Sequence, residues 1–290
     1  MKGFEITNEG LISTEQITLF HMRTRPKGHP HGRVLLLGGS NFDLRLKRRF
    51  LTSPLLDAVE LATFEPRGIG RSDLPDGAWS MQDYAKDAFS YMDAIGWHDA
   101  HIIGESFGGM TALHMANMAP ARVSSMVLTS TTSGGAGGAS FDVSEFLDLP
   151  RKEAAERALC LQDVRADDAR MSDPDAYKQM LNARLEFEEA FADPSINSGG
   201  YAKLLDARRD HNIWDALPEI KTPTLVIAGI QDRQAPQRAQ KAMAAALENG
   251  SFWLLNGGHG VLFESPAVSQ AILTEWLDLN PMMELKRFQS

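Results

Sequence analysis

Residues 100–118 read AHIIGESFGGMTALHMANM. The first five are short, apolar and without polar alternation, the pattern of a strand covered on both faces. From Met110 onward the spacing is helical. Between the two lies Gly104-Glu105-Ser106-Phe107-Gly108, a G-x-S-x-G pattern that has to turn strand into helix within a few residues. Such a turn holds its middle residue in a strained conformation, and the positions two before and two after must be small to avoid collision. Glycine at 104 and 108 meets that need. The Ser106 hydroxyl is therefore expected above the sheet edge at a helix N-terminus, where end amides stabilise an anion.

Working outward, the chain alternates strand and helix. Strands are predicted at 33–37 (RVLLL), 60–64 (ELATF) and 123–130 (VSSMVLTS). A helix is predicted over 80–95, with Met81, Tyr84, Ala85, Ala88, Tyr91, Met92 and Ile95 on one face, Ser80 as N-cap and Gly96 as terminator. This alternation implies a parallel sheet. Residues 3–7 and 14–23 read as an antiparallel edge pair. The rhythm stops at 131–140 (TTSGGAGGAS), read as a flexible hinge. No strand-like run follows for about 80 residues; 142–148, 151–162, 174–192 and 199–216 read as the helices of an inserted cap. After Pro223 the sheet resumes with 224–229 (TLVIAG), a helix over 236–248, a strand at 251–255 (SFWLL) and a closing helix over 265–279. The expected division is an α/β core of residues 1–132 and 221–290 and a helical cap of residues 133–220.

Two more residues stand just past predicted strands, the edge where open parallel sheets gather ligands. They are Asp232, in AGIQDRQAP at 228–236, and His259, in NGGHGVLFESP at 256–266. A serine hydroxyl is a weak nucleophile near neutral pH and needs a base and a group that orients the base. Taken singly, a loop histidine is an ordinary polar residue and a turn aspartate an ordinary turn former. Serine, aspartate and histidine in this chain order, each at a strand end, favour catalysis.

With GESFGG at 104–109, PRGIGRSD at 66–73, PTLVIAGIQD at 223–232 and GGHGVLFESP at 257–266, the chain resembles the α/β-hydrolase superfamily, its serine esterases and lactonases in particular. The likeness spans nearly all of the chain outside the cap. It implies the α/β-hydrolase fold: a mostly parallel central sheet flanked by helices, with a helical cap inserted before the last two strands. It also implies Ser106 as nucleophile, His259 as general base and then acid, and Asp232 as the carboxylate that orients the imidazole. A few members carry that acid after the strand preceding the cap, but 123–138 contains no Asp or Glu. The family's oxyanion hole uses the backbone N–H after the nucleophile, here Phe107, and one from the loop after strand 33–37. Many relatives begin that loop His-Gly; here it reads Gly38-Gly39-Ser40-Asn41, so the second donor is read as the Ser40 amide, with Asn41 as the alternative.

Composition narrows the function classes. Thirty-eight acids against 29 bases give a net charge of −9, a field that repels nucleic acid and anionic membranes, so neither is an expected partner. No apolar run reaches the roughly 18 residues of a membrane span, and MKGFEITNEG lacks a secretory apolar stretch. The lone Cys160 excludes an intramolecular disulfide and a four-thiolate zinc site. A cytoplasmic, reducing setting is expected. The run Arg45, Lys47, Arg48, Arg49 reads as a solvated helix face rather than an anion-steering patch. His29-Pro30-His31 lacks an evident third metal ligand. Gly68-Ile69-Gly70 leads to Asp73 where a dinucleotide fingerprint needs its third glycine. Neither metal nor cofactor is expected. Phe141, Phe146, Phe187, Phe191, Tyr201 and Trp214 of the cap, with Met110 and Trp79, read first as packing and second as pocket lining.

The sequence thus predicts a cofactor-independent hydrolase that cleaves a carboxylic ester or similar acyl bond of a small molecule through an acyl-serine intermediate. The alternatives on the same triad are lactonase, thioesterase, C–C bond hydrolase or cofactor-free haloperoxidase (perhydrolase) chemistry, and a ligand-binding signalling protein of low turnover.

Overall fold

The computed structural model describes residues 3–196, 199–264 and 266–277. Its strands are β1 (Phe4–Ser13), β2 (Thr18–Pro26), β3 (Arg33–Leu37), β4 (Glu60–Phe64), β5 (Ala100–Glu105), β6 (Val123–Thr129), β7 (Thr224–Gly229) and β8 (Gly250–Leu255). They form one sheet in the order β1-β2-β4-β3-β5-β6-β7-β8. β2 pairs antiparallel with β1 and β4, and every pairing from β4 to β8 is parallel. The strands of the central sheet are buried on both faces because helices cover both, which is why their sequences do not alternate. β1 is longer than the expected 3–7 segment. Its far half is mostly exposed, so pairing with β2 rather than burial sustains it, which writes no apolar pattern into it.

Two helices follow in the first half of the chain, α1 (Met81–Ala94) and α2 (Phe107–Met118). Ser80 and Asp83 cap α1 reciprocally, each side chain accepting from the other's backbone N–H, a device worth about 1 kcal/mol. α2 is buried from Phe107 through Ala116, so the residue at its head rides on an immobile element. Leu35, Ile102 and Leu128 pack on one sheet face against Tyr91 of α1 and Leu113 and Met115 of α2. On the other face Val34, Leu36, Ile103 and Val127 meet Phe50, Leu55 and Leu56.

Between β6 and β7 the chain forms α3 (Arg151–Gln162), α4 (Arg165–Ser172), α5 (Pro174–Ala192) and α6 (Gly200–Arg209). Three expectations are corrected here. The segment 142–148 holds only a 3-10 turn, Val143–Phe146, because the Asp142 side chain takes the Ser144 N–H at 3.0 Å and competes with helix. The segment 199–216 is two pieces. α6 stops at Arg209, the buried His211 ring binds Thr132 O at 2.9 Å, and a 3-10 stretch, Trp214–Glu219, carries Pro218. Nor is 131–140 a loose hinge: Thr131, Thr132 and Ser133 are fully buried. Ser133 O accepts from Ile213 N at 2.9 Å, and Thr132 Oγ1 from Ser140 N at 3.0 Å.

The helical insertion sits on the core through Phe191, Leu204 and Leu205 against Ile69, Trp79, Phe107 and Met110. Polar ties add to this. Arg45 donates to Ser195 O and Ile196 O, and Lys203 Nζ to Pro75 O. After β7 come α7 (Gln237–Ala246), α8 (Val261–Glu264) and α9 (Pro266–Ala271), then a π-helical turn, Ile272–Leu277. The closing helix expected over 265–279 is present over 266–277, passing from α to π at Ile272, and residues 265, 278 and 279 lie outside the described residues. No helix among the described residues is long and apolar enough to cross a membrane.

Candidate active site

Ser106 stands between β5 and α2 with φ 53° and ψ −114°, a backbone state that costs a residue with a side chain about 1–3 kcal/mol. Packing enforces it. A Cβ on Gly104 would lie 2.6 Å from Gly109 Cα, and one on Gly108 would lie 2.0 Å from Leu37 O. Only glycine at both flanks lets β5 turn into α2 against β3. Ser106 N donates to Thr129 O at 2.8 Å, which ties the turn to β6.

The turns after β7 and β8 meet beside it. Asp232 Oδ2 lies 2.9 Å from His259 Nδ1, and Asp232 Oδ1 accepts from Ala235 N at 3.0 Å. The carboxylate is thus held at both oxygens. His259 is fixed by its own backbone: its N–H donates to Gln162 O at 2.8 Å, and its carbonyl accepts from Ser130 Oγ at 2.6 Å. Ser130 itself has φ 50°. Ser106, Asp232 and His259 are all buried.

Ser106 and His259 line one cavity of about 420 Å³, within the size range of small-molecule sites. The structure brings Asp232 and His259 into contact and opens Ser106 and His259 onto the same space. Among the described residues Ser106 Oγ makes no hydrogen bond, and the partner of His259 Nε2 is Gln234 Nε2 at 3.0 Å. The sequence reading missed Gln234. Its signal was position alone, two residues past Asp232 in the same turn.

Gly39, Ser40 and Asn41 form another wall, and a Cβ on Gly39 would come 3.8 Å from Ser106 Cβ. Among the described residues the backbone N–H groups of Ser40, Asn41 and Phe107 donate to no protein acceptor. The basic run at 45–49 departs from the solvated helix face that its sequence suggests, because these residues serve two separate tasks. Arg45 clasps Asp43 at 2.7 Å and Arg48 pairs with Glu9, while Lys47 and Arg49 reach the cavity. Lys47 Nζ lies 4.3 Å from the Phe187 ring centre, a cation–π contact. Burial pushes its ammonium below the usual lysine range and pushes the neighbouring Glu105 carboxyl above the usual carboxylate range. Opposite charge partly offsets the shift on each.

Of the aromatic residues singled out from the sequence, Phe146 and Tyr201 line the cavity. Phe191, Trp79 and Met110 belong to the packing beneath the insertion, with Phe187 stacked on Phe191. Phe141 stacks on Phe146, and Trp214 packs against the sheet-side core. His31 donates its backbone N–H to Ala58 O. Among the described residues no group of three or more His, Cys, Asp or Glu is placed to hold a metal ion.

A family model described as the alpha/beta hydrolase family matches residues 31–269. The chain belongs to that family. It is similar to a putative carbamate hydrolase, RutD, of Pseudomonas savastanoi pv. phaseolicola, 27% identical over 236 residues that cover 76% of this chain and 83% of the relative. It is 31% identical to the 2-hydroxymuconate semialdehyde hydrolase of Pseudomonas putida over 192 residues, 63% of each chain. Among solved structures, the enol-lactonase from Burkholderia xenovorans superposes with a TM-score of 0.74 at 18% identity, covering 91% of this chain and 98% of that one. The fold expected from the sequence holds, and this member of the family is an enzyme of hydrolase type.

Proposed function

We propose that the protein is a cofactor-independent serine hydrolase that cleaves a carboxylic ester or similar acyl bond through an acyl-serine intermediate. One observation carries the reading: a serine held at positive φ at the head of a buried helix shares a cavity with a histidine whose other ring nitrogen is bonded to a buried aspartate. Such backbone strain, combined with a base and an orienting carboxylate, matches what an activated hydroxyl requires.

In this reading Asp232 accepts from Nδ1–H of His259 and leaves the lone pair on Nε2. Substrate places its carbonyl carbon against Ser106 Oγ. The hydroxyl proton passes to Nε2 as the C–O bond forms, and the carbonyl oxygen becomes an oxyanion received by the backbone N–H groups of Phe107 and Ser40, with Asn41 as the alternative to Ser40. The imidazolium then gives its proton to the departing alkoxide, which leaves as the alcohol. Water attacks the acyl-serine by the same route, His259 taking its proton and returning it to Ser106 Oγ as the acid departs. Each oxyanion donor of this kind is worth about a hundredfold to a thousandfold in rate. The insertion, proposed as a cap of residues 133–220 over a core of 1–132 and 221–290, roofs the acyl pocket with Phe146, Leu159 and Tyr201.

Steady-state hydrolysis of p-nitrophenyl esters of graded chain length, of lactones and of carbamates, with Ser106→Ala in parallel, tests the proposal. The account expects turnover of at least one acyl class and its loss in the Ser106→Ala protein. Turnover that persists near wild-type rates in that variant overturns the assignment of the nucleophile.

A further inference from the structure

A run of hydrogen bonds crosses from the insertion to the imidazole. Arg184 Nη1 of α5 donates to Gln162 Oε1 at 2.8 Å, Gln162 Nε2 at the end of α3 donates to Gln234 Oε1 at 3.1 Å, and Gln234 Nε2 stands 3.0 Å from His259 Nε2. Its polarity is set from both ends. A guanidinium has only donors, so Gln162 must accept with its oxygen and offer its nitrogen, and Gln234 must then do the same. Its NH2 therefore faces the ring. At the other end the Asp232 carboxylate takes Nδ1–H, which puts a lone pair on Nε2. Donor meets lone pair, and the two ends agree.

That lone pair is the one the Ser106 proton needs, and Ser106 Oγ, which makes no hydrogen bond among the described residues, faces the same cavity. We infer that Gln234 is a positioning residue that holds Nε2 of His259 before substrate binds, and that a substrate entering along Gln162 and Gln234 exchanges this bond for the one to Ser106. The inference rests on the function proposed above. Gln234 stabilises the neutral ring, since protonation of Nε2 would set two donors against each other.

The charged groups bonded to the ring, lining its cavity or paired with that lining belong to several elements: Asp232 after β7, Glu105 at the end of β5, Glu264 on α8, Lys47 and Arg49 in the stretch after β3, Asp163 after α3, Arg165 at the head of α4, and Arg184 and Glu188 on α5. None of them changes in a Gln234 variant. NMR titration of the labelled His259 ring therefore isolates residue 234 and needs no turnover. Gln234→Leu removes the donor and is expected to raise the titration midpoint by about half to one pH unit, the worth of one neutral hydrogen bond. Gln234→Glu puts an acceptor there and is expected to raise it further. The acid-side midpoint of kcat/KM, which reports the free enzyme, should move in the same order. Gln162→Leu, which cuts the run one step upstream, should give a smaller rise.

Coincident midpoints for wild type and Gln234→Leu, or a fall in either Gln234 variant, overturn the inference. If Ser106→Ala keeps its activity while the NMR order appears, it is the proposed function that fails and not the role of Gln234.

Discussion

Replacing Asp232 by Asn changes one atom and sets two hydrogen bonds in conflict. The carboxylate accepts at both oxygens, from Ala235 N at 3.0 Å and from His259 Nδ1 at 2.9 Å. An amide can accept at only one of these positions. If its oxygen stays with Ala235, its NH2 meets Nδ1; the ring must then accept there and carry its proton on Nε2, where, in the proposed mechanism, it can no longer take one from Ser106. If the amide turns over, NH2 faces the Ala235 N–H, and a buried donor is left without an acceptor at a cost of about 1–3 kcal/mol. At about 2–4 °C per kcal/mol for a chain of this size, Tm should fall by about 2–12 °C, so the protein still folds. The wrong tautomer should lower kcat by about 10⁴, or about 5.4 kcal/mol of transition-state stabilisation. Turnover of the acyl class that the wild type proves to hydrolyse, at a pH on the activity plateau, beside a thermal melt, reads both quantities. A folded Asp232→Asn protein with kcat within about tenfold of wild type would refute the tautomer argument.

Gly108→Ala drives a Cβ to 2.0 Å from Leu37 O, which belongs to a buried strand and cannot give; a loss of about 3 kcal/mol with collapse of activity is expected, and an unchanged melting temperature would contradict the elbow geometry. His101 and His211 are pushed down to about 4 by burial, while in the unfolded chain they titrate near the ordinary histidine value of about 6.5. The folded protein then binds fewer protons than the unfolded chain, so the stability these residues confer is full above pH 6.5 and is lost as pH falls toward 4. Each accounts for about 3 kcal/mol when the loss is complete. The urea midpoint should drop steadily between pH 6.5 and 4.5, and a flat profile there would count against burial of neutral rings.

What the sequence disclosed was what local sterics and strand ends write into it. Gly104 and Gly108 announced the tight turn because the clearance they supply is a matter of a few neighbouring atoms. Asp232 and His259 were visible as polar residues immediately past apolar runs, since a parallel sheet lines up all its strand ends on one edge. The charge run at 45–49 misled because a string of bases carries no record of which side chains a later insertion will bury: Phe187 and Glu105, which enclose Lys47, lie far along the chain. The turn at 142–148 and the break in 199–216 were hidden for a related reason. Helical periodicity says nothing of an Asp142 side chain that takes a backbone donor or of a His211 ring drawn to Thr132 O. Gln234, Gln162 and Arg184 were invisible because the polarity that links them exists only once α3, α5 and the turn after β7 are packed together.

The central claim is that Ser106 is the group that attacks. Mass spectrometry of the folded protein after reaction with a fluorophosphonate tests it most directly. One phosphonyl group on the peptide that carries Ser106, absent from Ser106→Ala and strongly reduced in His259→Ala, is the predicted result. A folded wild-type protein that takes up no label, or takes it up on another residue, would contradict the claim.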